Sequence, residues 1–263
     1  MDSLSLDILG YLTEFINNRD KCCFMMTCKN ISGCEFFFRE LIMTDKIINS
    51  QWFDRFTNIF INKEIGILPS FVTHLSFNLH FNKSIKDKIP GSVKYLAFGE
   101  DYDYLVRGNF KGELSYEEYD NNKLFYQNDI PLNITHLRLG PFFSHSINNL
   151  IPLSVTHLTL CSYVDIPLKG RIPTSVTHLT LDDEFCRPIR GYIPSSVIEI
   201  IFGNRITFYN MFNHIFGFPI NSCIPVTVKK IIFQNKALKE DKSSLIKFLG
   251  RDELTIVFDD TGY

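Results

Sequence analysis

Apolar residues follow two rhythms along the chain. At Leu4, Ile8, Leu9, Leu12 and Phe15 they recur every three to four residues, which places them on one face of a helix, and the run ends at the charged break Arg19-Asp20-Lys21. Beyond residue 67 the spacing falls to two. In HLTL at 157–160, Leu158 and Leu160 alternate with His157 and Thr159, the pattern of a strand with one buried face. The two patterns predict a helical module over 1–45, a helical junction over 46–66 that includes Trp52, and strands thereafter.

The strand signal is periodic. IPLSVTHLTL at 151–160 returns as IPTSVTHLTL at 172–181, and the Ile-Pro or Leu-Pro step occurs at Leu68, Ile89, Ile130, Ile151, Ile172, Ile193 and Ile224, at spacings of 21, 41, 21, 21, 21 and 31 residues. A second mark keeps the same register. FNKSI at 81, FSHSI at 143, VDIPL at 164, FCRPI at 185 and FGFPI at 216 each begin eight residues before the next Ile-Pro step. The long spacings locate insertions near 99–129 and 203–215. The proline ends the preceding element and biases its neighbour towards extended backbone, and the β-branched segment after it starts a strand. A 21-residue unit cannot bury a strand face alone, but units stacked as a parallel ladder share one core. These marks predict a leucine-rich-repeat-like solenoid of about seven coils over 67–238, with the Phe-x-x-Pro-Ile segment on the opposite wall and a terminal cap of a short helix and one last strand over 239–263.

IPxSVTHLxL followed by Phe-x-x-Pro-Ile resembles the FNIP repeat, a branch of the leucine-rich-repeat superfamily abundant in social amoebae and in giant DNA viruses of amoebae. The front of the chain, with Leu-x-x-Asp-Ile-Leu-x-x-Leu at Leu4 to Leu12 and then Thr27-Cys28-Lys29, is similar to an F-box, although Ser5 stands where that family usually has proline. The resemblance implies a small all-α module that docks a Skp-type adaptor of a cullin ubiquitin ligase through Leu4, Ile8, Leu9 and Leu12. It also implies a solenoid that presents a target protein. The other reading of the same helices is a cap sealing the first coil of a solenoid with no ubiquitin link.

Composition narrows the choice. Lysine plus arginine total 27 against 29 acids, so the broad positive field of a nucleic-acid binder is missing. No apolar run reaches membrane-spanning length, the start lacks a basic signal region, and seven scattered cysteines show no pairing framework; a cytoplasmic protein is expected. No phosphate loop, nucleophile elbow or metalloprotease motif appears, and the lone FDDTG at 258–262 has no second copy. We therefore expect no enzyme activity and no cofactor.

Register assigns the candidate residues. His74, Tyr95, His136, His157, His178, Glu199 and Lys230 fall in one row, a poor metal-ligand set that is better explained by stacking or hydrogen bonding along the ladder. The next outward row is Ser76, Ala97, Arg138, Thr159, Thr180, Ile201 and Ile232, with Asn78, Cys161, Asp182 and Gln234 one step beyond. Since repeated residues hold the coil, residues that vary between coils are the recognition candidates: Arg138, Thr159, Thr180 and Asp182. The insertion at 99–129 is the rival, with eight acids, three bases and five tyrosines including Tyr102, Tyr104, Tyr116 and Tyr119. A decayed repeat explains it equally well. The aromatic insertion ITFYNMFNHIFGF at 206–218 reads as core.

Overall fold

The computed structural model describes residues 42–43, 47, 49, 53–78, 81, 83–100, 129–140, 149–161, 169–183, 185, 188–207, 215, 223–239, 251 and 253–259. The F-box-like residues Leu4, Ile8, Leu9 and Leu12, together with Trp52 and Tyr102, Tyr104, Tyr116 and Tyr119, lie outside them.

Ten strands succeed one another: β1 (Ile42–Met43), β2 (Asn58–Ile61), β3 (His74–Asn78), β4 (Tyr95–Glu100), β5 (His136–Leu139), β6 (His157–Leu160), β7 (His178–Leu181), β8 (Glu199–Phe202), β9 (Lys230–Phe233) and β10 (Thr255–Phe258). Each pairs in parallel with the next, and sheet order equals sequence order, giving an open, solenoid-like ladder. Equivalent letters face one another: His157 lies opposite His136 and His178, and Leu158 opposite Leu137 and Leu179. Tyr95 pairs directly with His136 across the 99–129 insertion, so the added residues leave the ladder unbroken.

Two inward columns build the core. Ile59, Leu75, Leu96, Leu137, Leu158, Leu179, Ile200 and Ile231 form one; Ile61, Phe77, Phe98, Leu139, Leu160, Leu181, Phe202 and Phe233 form the other, and all are buried. The second mark of the repeat supplies the facing wall, with Phe81, Ile85, Phe185 and Ile189 buried in the same cluster. Ile206 and Ile215 of the aromatic insertion are fully buried there too, as expected; 208–214 and 216–218 lie outside the described residues.

The proline closes a turn as well as ending the preceding element. In every repeat the amide three residues on donates to the proline carbonyl at 3.0–3.2 Å, as Val155 does to Pro152, and that donor's side chain drops into the core. Two residues before the Ile-Pro step the backbone is left-handed at Asp87, Asn149, Gly170 and Gly191, with φ of 58°, 52°, 69° and 70°. Only glycine, asparagine and aspartate enter that region readily, so this column turns these four coils back towards the sheet.

Ile42–Met43, expected within the helical module over 1–45, form strand β1 instead, paired with β2. The stretch 46–66, expected to be helical, contains a single 3-10 turn at Phe53–Arg55 among its described residues and then strand β2. Asn-Ile-Phe-Ile is β-branched and aromatic, and pairing with β3 buries Ile59 and Ile61 in the common core, which overrides any helical tendency. At the other end the expected last strand is β10, with a 3-10 turn at Lys236–Lys239; the short helix expected between them falls on 240–250, outside the described residues. No helix among the described residues is long and apolar enough to cross a membrane.

Candidate protein-interaction face

Strand alternation turns the odd positions of each HLxL segment away from the core, so the outer face of the sheet carries columns of side chains at rung spacing. The first column is a ring stack. His74 lies 3.9 Å from Tyr95, Tyr95 4.1 Å from His136, His136 4.1 Å from His157 and His157 4.2 Å from His178, centroid to centroid. Each histidine Nδ1 also sits 2.8–2.9 Å from the hydroxyl of the threonine before it: Thr73, Thr135, Thr156 and Thr177. The sequence row was therefore placed correctly, and it holds the coil by both stacking and hydrogen bonding. Burial pushes the His74, His136 and His157 rings below the usual histidine value. His136 falls furthest, to about 4, because its histidine neighbours add to burial. Beyond His178 the column ends in an ion pair, Lys230 Nζ to Glu199 Oε2 at 2.9 Å.

Arg138, Thr159 and Thr180 stand on adjacent rungs of the next outward column, as expected. Asp182 follows β7 directly, and its Oδ2 takes both the Arg138 guanidinium at 2.5 Å and the Cys161 thiol at 3.1 Å, while its Oδ1 accepts the Asp183 amide at 2.8 Å. The pair bridges two rungs over β6. Cys161, expected on the outward side, is instead buried at 7% exposure, because it serves as a donor beneath this bridge. Burial alone would raise the Asp182 carboxyl, but the Arg138 charge and the thiol and amide hydrogen bonds outweigh it and hold the group below its usual value. Register gives the two positions but not their pairing, which joins different columns two coils apart.

Removing the guanidinium should expose this balance. We expect Arg138→Ala to lose about 1–2 kcal/mol of stability at pH 7, since a carboxylate with one-fifth of its side chain exposed loses its counter-ion. Asp182 is depressed in the folded state, so its contribution is present above the ordinary value of 3.8 and fades as pH falls through the folded value. Denaturant melts at pH 7 and pH 3 should show the gap between wild type and variant closing in acid.

Among the described residues no group of three or more His, Cys, Asp or Glu side chains is placed to hold a metal ion. Tyr102, Tyr104, Tyr116 and Tyr119 of the rival insertion lie outside the described residues.

The FNIP Repeat family matches residues 62–103 and 166–205, which hold β3, β4, β7 and β8. Three proteins of Acanthamoeba polyphaga mimivirus are similar to this chain. One FNIP repeat-containing protein is 28% identical over 167 residues, 57% of this chain and 37% of that protein. A second is 26% identical over 150 residues, 56% of this chain and 29% of its own length. A third, named an F-box and FNIP repeat-containing protein, is 29% identical over 150 residues, 54% of this chain and 28% of that protein. The chain thus spans about a third of the length of these relatives. No solved structure matches it. Repeated Ile-Pro turns and one parallel ladder in register agree with the family match, which places FNIP repeats at residues 62–103 and 166–205.

Proposed function

We propose that the chain is a non-catalytic interaction adaptor of the cytoplasm. In this reading residues 1–45 hold a Skp-type adaptor of a cullin ubiquitin ligase through Leu4, Ile8, Leu9 and Leu12, and the outer face of the sheet holds a protein target. The observation that carries it is the division of labour in the sheet. Residues repeated from coil to coil, the leucines and the Thr-His pairs, hold the coil, whereas the outward column that holds Arg138, Thr159 and Thr180 varies along the ladder from Ser76 to Ile232, with Asp182 one step beyond. The F-box in the name of one mimiviral relative supports the ligase half. The protein's part is proximity: it raises the local concentration of the target beside an enzyme whose chemistry lies elsewhere.

Tagged full-length chain is to be compared with a Leu9→Glu, Leu12→Glu double variant for capture of a Skp-type adaptor and cullin from amoebal lysate, with the melting curve of each recorded. The wild type is expected to capture both and the folded double variant neither. Undiminished capture by a folded double variant would overturn the docking site.

A second reading is an interaction solenoid with no ligase link, its front serving as a cap. Phe60 favours it: this residue lies in the outward column on β2 yet is fully buried, so the outer face is covered at that rung. Absence of adaptor and cullin from both captures would select this reading.

A further inference from the structure

Threonine and histidine travel together in this ladder. Across β3 to β9, Thr73, Thr135, Thr156 and Thr177 precede His74, His136, His157 and His178, and where the column holds Tyr95, Glu199 or Lys230 the preceding residue is Lys94, Ile198 or Lys229. The hydroxyl is therefore matched to the imidazole, and the hydrogen bonds show how. The carbonyl of Thr135 already accepts the amides of Thr156 and His157 at 3.0 and 3.1 Å, and lies 3.4 Å from the Thr156 hydroxyl, whereas that hydroxyl is 2.9 Å from His157 Nδ1. The same holds one rung on: the Thr156 carbonyl takes the amides of Thr177 and His178 at 2.9 and 3.0 Å and is 3.3 Å from the Thr177 hydroxyl, which is 2.8 Å from His178 Nδ1. The hydroxyl has one proton for two acceptors, and the carbonyl already takes two amides; given to the nearer Nδ1, that proton requires the ring proton to sit on Nε2.

We propose that the Thr-His column is an acid-sensitive clasp, closed only while its imidazoles are neutral and protonated on Nε2. Adding a proton at Nδ1 makes that nitrogen a donor, so the hydroxyl has to turn its hydrogen to the longer contact with an already occupied carbonyl. The new charge also faces another ring about one rung away, and two imidazoliums on neighbouring rungs repel. The other charged or titratable groups bordering the column are Lys94 and Tyr95 on the β4 rung, Arg138 on β5, Asp182 after β7, Glu199 on β8, and Lys229 and Lys230 at β9. Arg138 is tied to Asp182 and Lys230 to Glu199. Glu199 lies opposite His178 and its charge also reaches His157, where it opposes the effects of burial and His178 without outweighing them; it is not among the causes that lower His136.

The direction of the stability change follows from burial. Rings held below their ordinary value of 6.5 in the fold, His136 at about 4, bind fewer protons than the same rings unfolded, so stability is complete above 6.5 and falls as pH drops towards 4. Tyr95 supplies the control substitution. Its ring already stacks between His74 and His136, so a His136→Tyr, His157→Tyr, His178→Tyr variant keeps a ring on every rung and takes the imidazoles from these three, leaving only that of His74 in the column.

Full-length wild type and this triple variant are to be melted at pH 7.5 and pH 5. The wild-type melting temperature is expected to fall further than the variant's by roughly 4 °C or more. In parallel, ring 15N spectra of the wild type at pH 7.5 should show Nδ1 unprotonated and Nε2 protonated at His136, His157 and His178. An equal fall in both proteins, or Nδ1-protonated rings at neutral pH, would overturn the proposal. Should the triple variant fail to fold, the single His157→Tyr protein on the same melts and the wild-type spectra decide it. Neither readout depends on what binds the outer face.

Discussion

Leu158→Ala is expected to lower the unfolding free energy by about 2–5 kcal/mol, the range for deleting a fully buried leucine that cannot be replaced by collapse of its surroundings. Leu158 is 1% exposed on β6, between Leu137 and Leu179 in the same column, and beneath it Val155 is completely buried. The location of the loss is as telling as its size. In a solenoid each coil touches only its neighbours, so the cavity weakens the contacts of β6 with β5 and β7 directly and the ends of the ladder only through cooperativity. Amide hydrogen exchange should therefore speed up most over 136–139, 157–160 and 178–181 and least in β3 and β9. Thr159→Ala, one residue along but facing outward, should stay within about 0.5 kcal/mol of wild type. A loss spread evenly over all ten strands, or one below about 1 kcal/mol, would contradict a core built from nearest-neighbour coils.

That core was legible because two independent periods agree. Alternation within HLTL fixes which residues face inward, and the 21-residue repeat fixes which residues lie opposite one another, so the row from His74 to Lys230 could be written down before any strand was seen. Features that repeat as a conformation and vary as letters were not legible. Asp87, Asn149, Gly170 and Gly191 share only a tolerance for left-handed backbone, and nothing in their letters announces a common column. Strand β2 escaped for a related reason: no Ile-Pro step introduces Asn58–Ile61, and its strand character comes from a partner, β3, rather than from its own periodicity. In the candidate face the positions of Arg138, Thr159, Thr180 and Asp182 followed from register, but the ion pair did not. It joins different columns two coils apart, a separation that only the reach of an arginine side chain closes, and the same bridge is what buries Cys161 against expectation.

Gly203→Ala is expected to cost about 1–3 kcal/mol, the range for overpacking a close-fitting site, and Gly203→Val more. Gly203 follows β8 and occupies the rung beside Asp182, with its amide bound to the Leu181 carbonyl at 2.8 Å. A Cβ placed there would lie 2.6 Å from Asp183 Oδ1, 2.7 Å from the Asp182 carbonyl carbon and closer still to the Asp183 backbone nitrogen. The side-chain oxygen could swing away, but two of the three obstacles are backbone atoms of the preceding coil, so relief requires the turn after β7 to move. That turn carries the candidate face. Asp183 donates its amide to Asp182 Oδ1 and accepts the Arg205 amide at 3.2 Å, and Asp182 in turn holds Arg138. The substitution should therefore weaken the Arg138–Asp182 bridge without touching either residue, and its cost should shrink when Arg138→Ala is already present. A double-mutant cycle at pH 7 measures that coupling: about 0.5 kcal/mol or more places Gly203 among the residues that shape the outer face, and strict additivity confines its role to letting two coils approach.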